Sequence, residues 1–288
     1  MASICGGWGW CRRTSDRALA APGNIAYHGG AVVPEVHMNI AGRRIVRASR
    51  YAELRAREGA YFDLAFIRAL PEAAQTRSLS LLDTSHSQLR QDLFALAMHG
   101  FKQGGFFVEF GATDGVELNN TLMMERDFGW SGILAEPARG WHGDLKKNRS
   151  CTIEHRCVWK ASGEKLRFTE TPRGENSGLS HTVSASRRAR GNSYDVTTIS
   201  LNDLLTEHSA PAHIDYMSVD TEGTEADILG ALDWGRWSFG VISVEHNFAP
   251  QRSALNKILT DAGYVQVLKD VSRFDDWYVA PVFAGQVG

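Results

Sequence analysis

Cysteine is scarce, at four in 288 residues (positions 5, 11, 151 and 157). No two of them stand in the two-residue spacing of a zinc knuckle, so structural zinc does not organise the chain. If one strand joins Cys151 to Cys157 they lie about 20 Å apart along it, beyond disulfide reach, and reduced thiols point to a cytoplasmic protein. An excess of one charge is missing as well: 31 basic residues face 33 acidic ones, a formal net charge of -2. That removes any global electrostatic case for a nucleic acid or an anionic membrane as partner. No apolar run reaches the roughly 18 to 20 residues of a membrane span, and the N-terminus lacks the basic-then-apolar order of a secretory signal. What remains, 43% hydrophobic and 22% charged, suits a soluble chain with one sizeable core. Nothing in the sequence sets an oligomeric state.

Residues 1–30 show clustered Gly and Ala without a period and read as a loose arm. From Tyr51 to Leu70 the apolar spacing predicts helices interrupted at Gly59 and closed by Pro71, which either pack on a sheet edge or cover a substrate mouth. Residues 1–84 are therefore taken as an arm and helical extension, and 85–288 as the main domain. That domain opens with the helical segment SQLRQDLFALAMHG from Ser87, stopped at Gly100.

The stretch FFVEFGATDG (106–115) follows, a buried-strand pattern breaking into a glycine turn in which Glu109 is the lone charge. Gly111 and Gly115 are expected to let the backbone pass close to a ligand. A helix over 118–128 and the strand ILAE ending at Glu136 complete a βαβ unit, which is parallel and right-handed. The fold class is doubly wound, Rossmann-like α/β. The rest of the pattern gives a helix over 140–148, a strand around 152–159 and a hairpin-like strand over 166–169. A polar loop insertion follows at 171–193, carrying Arg187, Arg188 and Arg190, whose guanidinium groups either grip a phosphate or carboxylate or, as is commoner, simply form a solvated basic loop. Then come a helix over 201–207, a strand over 214–219, a helix over 224–232, the strand VISVEHN and a helix over 253–262. The last two strands, near 264–268 and 277–282, are joined too tightly for a crossover and form an antiparallel hairpin.

In such sheets ligands bind beyond the carboxyl ends of the strands, where Glu109, Glu136, the pair Asp220 and Glu222, and the triplet Glu245, His246 and Asn247 all fall. The turn GATDG is not GxGxxG. Asp114 would set a negative charge against dinucleotide phosphates, and it favours a cofactor with a cationic group, as S-adenosylmethionine has. Glu136 stands where an acid accepts ribose hydroxyls.

On the segments SQLRQDLFAL, GGFFVEFGATDGVELNNTLMMER, GWSGILAEP with LKKNR, TISLNDLL, IDYMSVDTEGTEADIL and VISVEHN, spanning roughly 85–282, the sequence resembles the FkbM-type class I methyltransferases. The resemblance implies the class I methyltransferase sheet and S-adenosylmethionine as methyl donor to a hydroxyl of a small metabolite or saccharide. It places Glu109, Gly111, Ala112, Thr113, Asp114 and Gly115 at the methionine portion of the cofactor, with Asn120 and Thr121 at the helix start. Glu136 and Pro137 fall at the ribose, Cys157 and Val158 near adenine, and Asp220 near the methyl group. Thr113 stands where the family more often has Asn.

Alcohol protons are tightly held, so a base or a divalent metal is required. Asp220 or His246 is the candidate base, with Glu222 beside them. Alternatively Asp220, Glu245 and His246 hold Mg²⁺ or Mn²⁺. Glu222 is equally placed to cap the helix starting at Thr224, His246 can be structural, and Glu109 can serve its own turn. Trp130, Trp141, Trp234 and Trp237 either stack on sugar faces or fill cores. The competing functions are a nicotinamide-dependent oxidoreductase and an inactive methyltransferase-like binding protein.

Overall fold

The computed structural model describes residues 38–40, 43–45 and 48–287. The arm expected over residues 1–30, with Cys5 and Cys11, lies outside the described residues. The chain divides into two units, Met1–Glu53 and Leu54–Gly288. In the first, β1 (Met38–Ile40) and β2 (Arg43–Ile45) pair as an antiparallel hairpin.

The larger unit begins at Leu54. Helix α1 (Ala48–Ala69) runs unbroken through Gly59, contrary to expectation. One interior glycine costs about 1 kcal/mol, too little to break a helix that buries Phe66 and Ile67 beside Leu70. Phe66 sets its ring edge on Trp277, 6.2 Å between centroids. Pro71 ends the run and precedes α2 (Glu72–Leu81), whose Ala74 enters the same core as the sheet. Helix α3 (Gln91–Met98) starts four residues later than its pattern suggests. Arg90 takes a left-handed conformation, and the buried Asp92 carboxylate holds the preceding turn through Ser85 Oγ at 2.7 Å and His86 N at 3.1 Å.

Beyond α3 the chain alternates. The elements are β3 (Phe106–Phe110), α4 (Leu122–Phe128), β4 (Ser131–Ala135), α5 (His142–Asn148) and β5 (Thr152–Glu154). Next come β6 (Cys157–Trp159), β7 (Lys165–Glu170), β8 (Gly178–Leu179), α6 (Ala185–Arg188), β9 (Asn192–Ser200) and α7 (Leu201–Glu207). The chain closes with β10 (His213–Val219), α8 (Glu225–Gly230), β11 (Ser238–Glu245), α9 (Arg252–Asp261), β12 (Val265–Val267), β13 (Asp275–Val279) and α10 (Pro281–Ala284).

Seven strands form one sheet in the order β12-β13-β11-β10-β3-β4-β5. All pairs are parallel except those of β13, which runs antiparallel to both β11 and β12. The expected C-terminal hairpin is present. The sheet grows in one direction from β3 through β4 and in the other through β10, so the switch point lies between β3 and β10, where a doubly wound sheet opens its crevice. One face carries Phe107, Leu134, Tyr216, Val241 and Trp277 against α3, with Phe94 stacked on Trp277 at 4.8 Å. The other carries Val108, Ile133, Met217 and Ile242 against Leu204, Ile228 and Leu255 of α7, α8 and α9.

Two expectations fail in the middle of the chain. The single strand around 152–159 is two strands in different sheets, because Arg156 N and Nε both turn back to Glu154 Oε1, at 2.8 and 3.0 Å. The polar insertion is partly structured: β8 pairs with β7, and β9, absent from the sequence reading, completes a second sheet in the order β6-β9-β7-β8. Among the described residues no helix is long and apolar enough to cross a membrane.

Candidate active site

Glu109 leaves β3 on the face that packs against α3 and α4, buried to 3% exposure. Its Oε1 accepts Asn120 N at 2.9 Å and its Oε2 accepts the Thr121 hydroxyl. The carboxylate therefore anchors the segment entering α4 and not the amides of its own glycine turn. Burial raises its pKa, opposed by Arg149, the Thr121 hydroxyl and the Asn120 amide. Arg149, at the end of α5, has a side chain with no exposure. It donates from Nε to Glu125 (2.6 Å), from Nη1 to Asn119 Oδ1 (2.7 Å) and Gly115 O (3.3 Å), and from Nη2 to Thr121 Oγ1 (3.0 Å). The sequence offered this residue only as the last letter of LKKNR.

The glycine turn is built differently from its expected purpose. Gly111 has φ +76°, and the place a Cβ would take is filled by the carbonyl oxygen of Asp220. Gly115 has φ +78°, and a Cβ there would come within 2.6 Å of Arg149 Cγ. Both glycines are required by protein packing as well as by conformation. Asp114 Oδ1 accepts Val116 N and Glu117 N at 2.8 and 2.9 Å, closing its own turn.

Glu136, one residue past β4, is buried and bridges two loops. Oε2 accepts Thr113 N at 2.9 Å and Oε1 accepts Ala138 N at 2.7 Å. Burial pushes its pKa up to about 7 against those two amides, with Glu170 adding to the rise. Half-buried Pro137 follows. The buried Cys157 thiol on β6 is pushed up to about 12 by burial and by Glu136, which places β6 and its neighbour Val158 beside this carboxylate. A buried polar chain runs beneath: Tyr216 to Ser243 (2.7 Å), Ser243 to Ser218 (3.5 Å), and Asn120 Nδ2 to Ser218 Oγ (2.9 Å). It fixes the Asn120 amide and leaves Asn120 Oδ1 buried without a partner among the described residues.

At the ends of β10 and β11 three carboxylates converge. Asp220, Glu222 and Glu245 each offer an oxygen within 4.8 Å of the others. Burial with neighbouring negative charge raises both Asp220 and Glu245. Glu222 is pushed up to about 7 by burial, with Arg187 opposing and Glu225 and Glu175 adding. Glu222 joins the group because its backbone is left-handed (φ +57°). The loop before α8 is held instead by Glu225, whose Oε1 accepts Thr221 N and Gly223 N at 3.0 and 2.9 Å. A cavity of about 280 Å³ opens here, lined by Thr182, Glu222, Glu225, Glu245, His246 and Gln251 among others.

The set read from the sequence as Asp220, Glu245 and His246 is thus Asp220, Glu245 and Glu222. His246 lines the cavity, but its ring nitrogens are turned to protein. Nδ1 accepts Phe248 N at 2.9 Å, and Nε2 lies 3.5 Å from Asp276 Oδ1. Burial lowers its pKa. The backbone at Asn247 and Phe248 is left-handed (φ +44° and +56°), a strained corner at the cavity edge. Asn247 lines the cavity. The tryptophans do not face it. Trp130 and Trp237 are buried, Trp234 packs on Phe239 and Tyr264, and Trp141 lies against Gly174.

The model of the methyltransferase FkbM domain matches residues 109–265, more than half of the chain. Among solved structures the chain is similar to a precorrin-6y C5,15-methyltransferase from Geobacter metallireducens GS-15 (14% identical, 61% of this chain and 71% of that one, TM-score 0.35). It is also similar to a SAM-dependent methyltransferase from Aquifex aeolicus (12%, 70% and 96%, TM-score 0.32) and to a methyltransferase from Pyrococcus furiosus (12%, 65% and 82%, TM-score 0.30). Likenesses of that size identify neither a fold nor an activity. No curated relative matches.

Proposed function

The chain belongs to the FkbM methyltransferase family, and we propose that it transfers the methyl group of S-adenosylmethionine to a hydroxyl of a small metabolite or saccharide. Family membership sets aside the nicotinamide alternative. The observation that carries the reading is the contact between the Gly111 turn and the Asp220 carbonyl, which brings the cofactor turn and the carboxylate pair to one point of the crevice. The donor set fits the cofactor. Asn120 Oδ1 is a buried acceptor lacking a donor among the described residues, the three carboxylates favour a cation, and each Glu136 oxygen, having accepted one amide, retains a lone pair for a ribose hydroxyl.

The cofactor would supply an electrophilic methyl on a sulfonium. The chain supplies position and a proton acceptor. Asp220, raised by burial and by the negative charge of nearby Glu245, is the base, and Glu245 raises its basicity. The buried polar chain through Ser218 orients Asn120, and the insertion walls the cavity against water. A cytoplasmic setting belongs to the same proposal and fits the free thiols Cys151 and Cys157.

Calorimetry is expected to show micromolar binding of S-adenosylhomocysteine, and no heat would sink the cofactor reading. Glu136→Ala should weaken that binding about ten- to a hundredfold, the cost of leaving ribose hydroxyls and the Thr113 amide unpaired. Unchanged affinity would remove Glu136 from the ribose. The spacing of Asp220, Glu222 and Glu245 also favours a second mechanism in which these three hold Mg²⁺ or Mn²⁺. Full activity after EDTA and gel filtration would exclude it; loss restored by Mg²⁺ would establish it.

A further inference from the structure

The insertion between β7 and β9 carries Arg173, Arg187, Arg188 and Arg190 against one acid, Glu175, an excess of three positive charges in a chain of net charge -2. It sits on the candidate site. Thr182 lines the cavity, a Cβ on Gly178 would lie 3.4 Å from Glu222 Cβ, and one on Gly223 would lie 3.3 Å from Thr182 Cβ. Arg188 is committed to the fold through Ser180 O. Arg187 is not: it is exposed and makes no side-chain hydrogen bond or ion pair with any described residue, although its charge is felt at Glu222. Its five guanidinium donors belong to the same insertion that supplies Thr182 to the wall of a cavity whose lining is acidic.

That separation of charge sorts a substrate by its ends. The acidic lining repels an anion and accepts a hydroxyl that must lose its proton, while the basic insertion that forms part of its wall attracts an anion. We propose that Arg187 receives a carboxylate or phosphate group of the methyl acceptor, so that the acceptor is an acidic hydroxylated metabolite oriented with its hydroxyl toward Asp220. This rests on the methyltransferase reading above.

The test uses the full chain saturated with S-adenosylhomocysteine and treated with phenylglyoxal, with modification of Arg173, Arg187 and Arg190 read by peptide mass spectrometry. Methyl glucoside, glucuronate and glucose 6-phosphate are the added probes. An acidic probe is expected to slow modification of Arg187 by about threefold relative to the other two arginines, and methyl glucoside to leave all three alike. Protection by glucuronate alone identifies a carboxylate, and by glucose 6-phosphate alone a phosphate. In labelled-methyl assays Arg187→Glu should lower transfer to acidic acceptors about tenfold at unchanged S-adenosylhomocysteine affinity. Heat of cofactor binding with equal modification of the three arginines overturns the arginine proposal alone; no heat overturns both readings.

Discussion

Arg149→Ala is expected to cost about 3 to 5 kcal/mol of folding stability, the range for removing one partner of a buried ion pair. The side chain has no exposure, and its removal would strand two carboxylates. Glu125 now sits at about 2 despite its burial, held down by the hydrogen bonds of Ser150 and by Arg149. Glu109, fully enclosed, would lose the largest influence that opposes its protonation. Asn119 Oδ1 and Gly115 O would each lose a donor, and a void would open where the arginine stem packs against Gly115. Arg149→Lys keeps the charge but not the fork that reaches Glu125, Asn119 and Thr121 together, so it should fall between wild type and alanine. Urea unfolding monitored by tryptophan fluorescence reads both. A loss under about 1 kcal/mol for Arg149→Ala, the size of a surface pair, would show that the network is not what holds the glycine turn.

The same residue marks the limit of what the sequence reveals. The strands announce themselves through apolar runs, and the acids at their ends through position, so β3, β4, β10, β11 and the reversal at β13 are legible. Arg149 is not, because its partners Gly115, Asn119 and Glu125 lie 24 to 34 residues away and only the folded βαβ unit brings them together. Strand β9 carries an alternating signal in Tyr194, Val196 and Thr198, but the polar stretch before it hides where the strand begins. The site shows a third limit. Sequence position puts His246 beside Glu245, yet side chains alternate along a strand, and Phe248 N and Asp276 draw the imidazole away. Glu222 enters the carboxylate group because a left-handed residue turns the chain back, and no pattern of residue types encodes that.

Asp220→Asn should lower methyl transfer by about a hundredfold or more, the scale of general-base catalysis, while S-adenosylhomocysteine affinity stays within about threefold. The amide keeps the shape but takes no proton. The pH profile follows from the same carboxylates. A base works in its deprotonated form, and burial with neighbouring negative charge raises the acids here, so activity is held off at low pH and appears as pH climbs. Glu222 is pushed up to about 7 and Glu245 to about 8. The acid limb of kcat/KM should therefore lie well above the ordinary carboxylate range, and it belongs to the coupled group and not to Asp220 alone. Glu245→Gln removes the nearest like charge and should shift that limb downward by about one unit, toward the ordinary carboxylate range. An acid limb below pH 6 in the wild type, or Asp220→Asn retaining more than about a tenth of the activity, would take the base away from Asp220 and leave proton removal to bulk water once the methyl has moved.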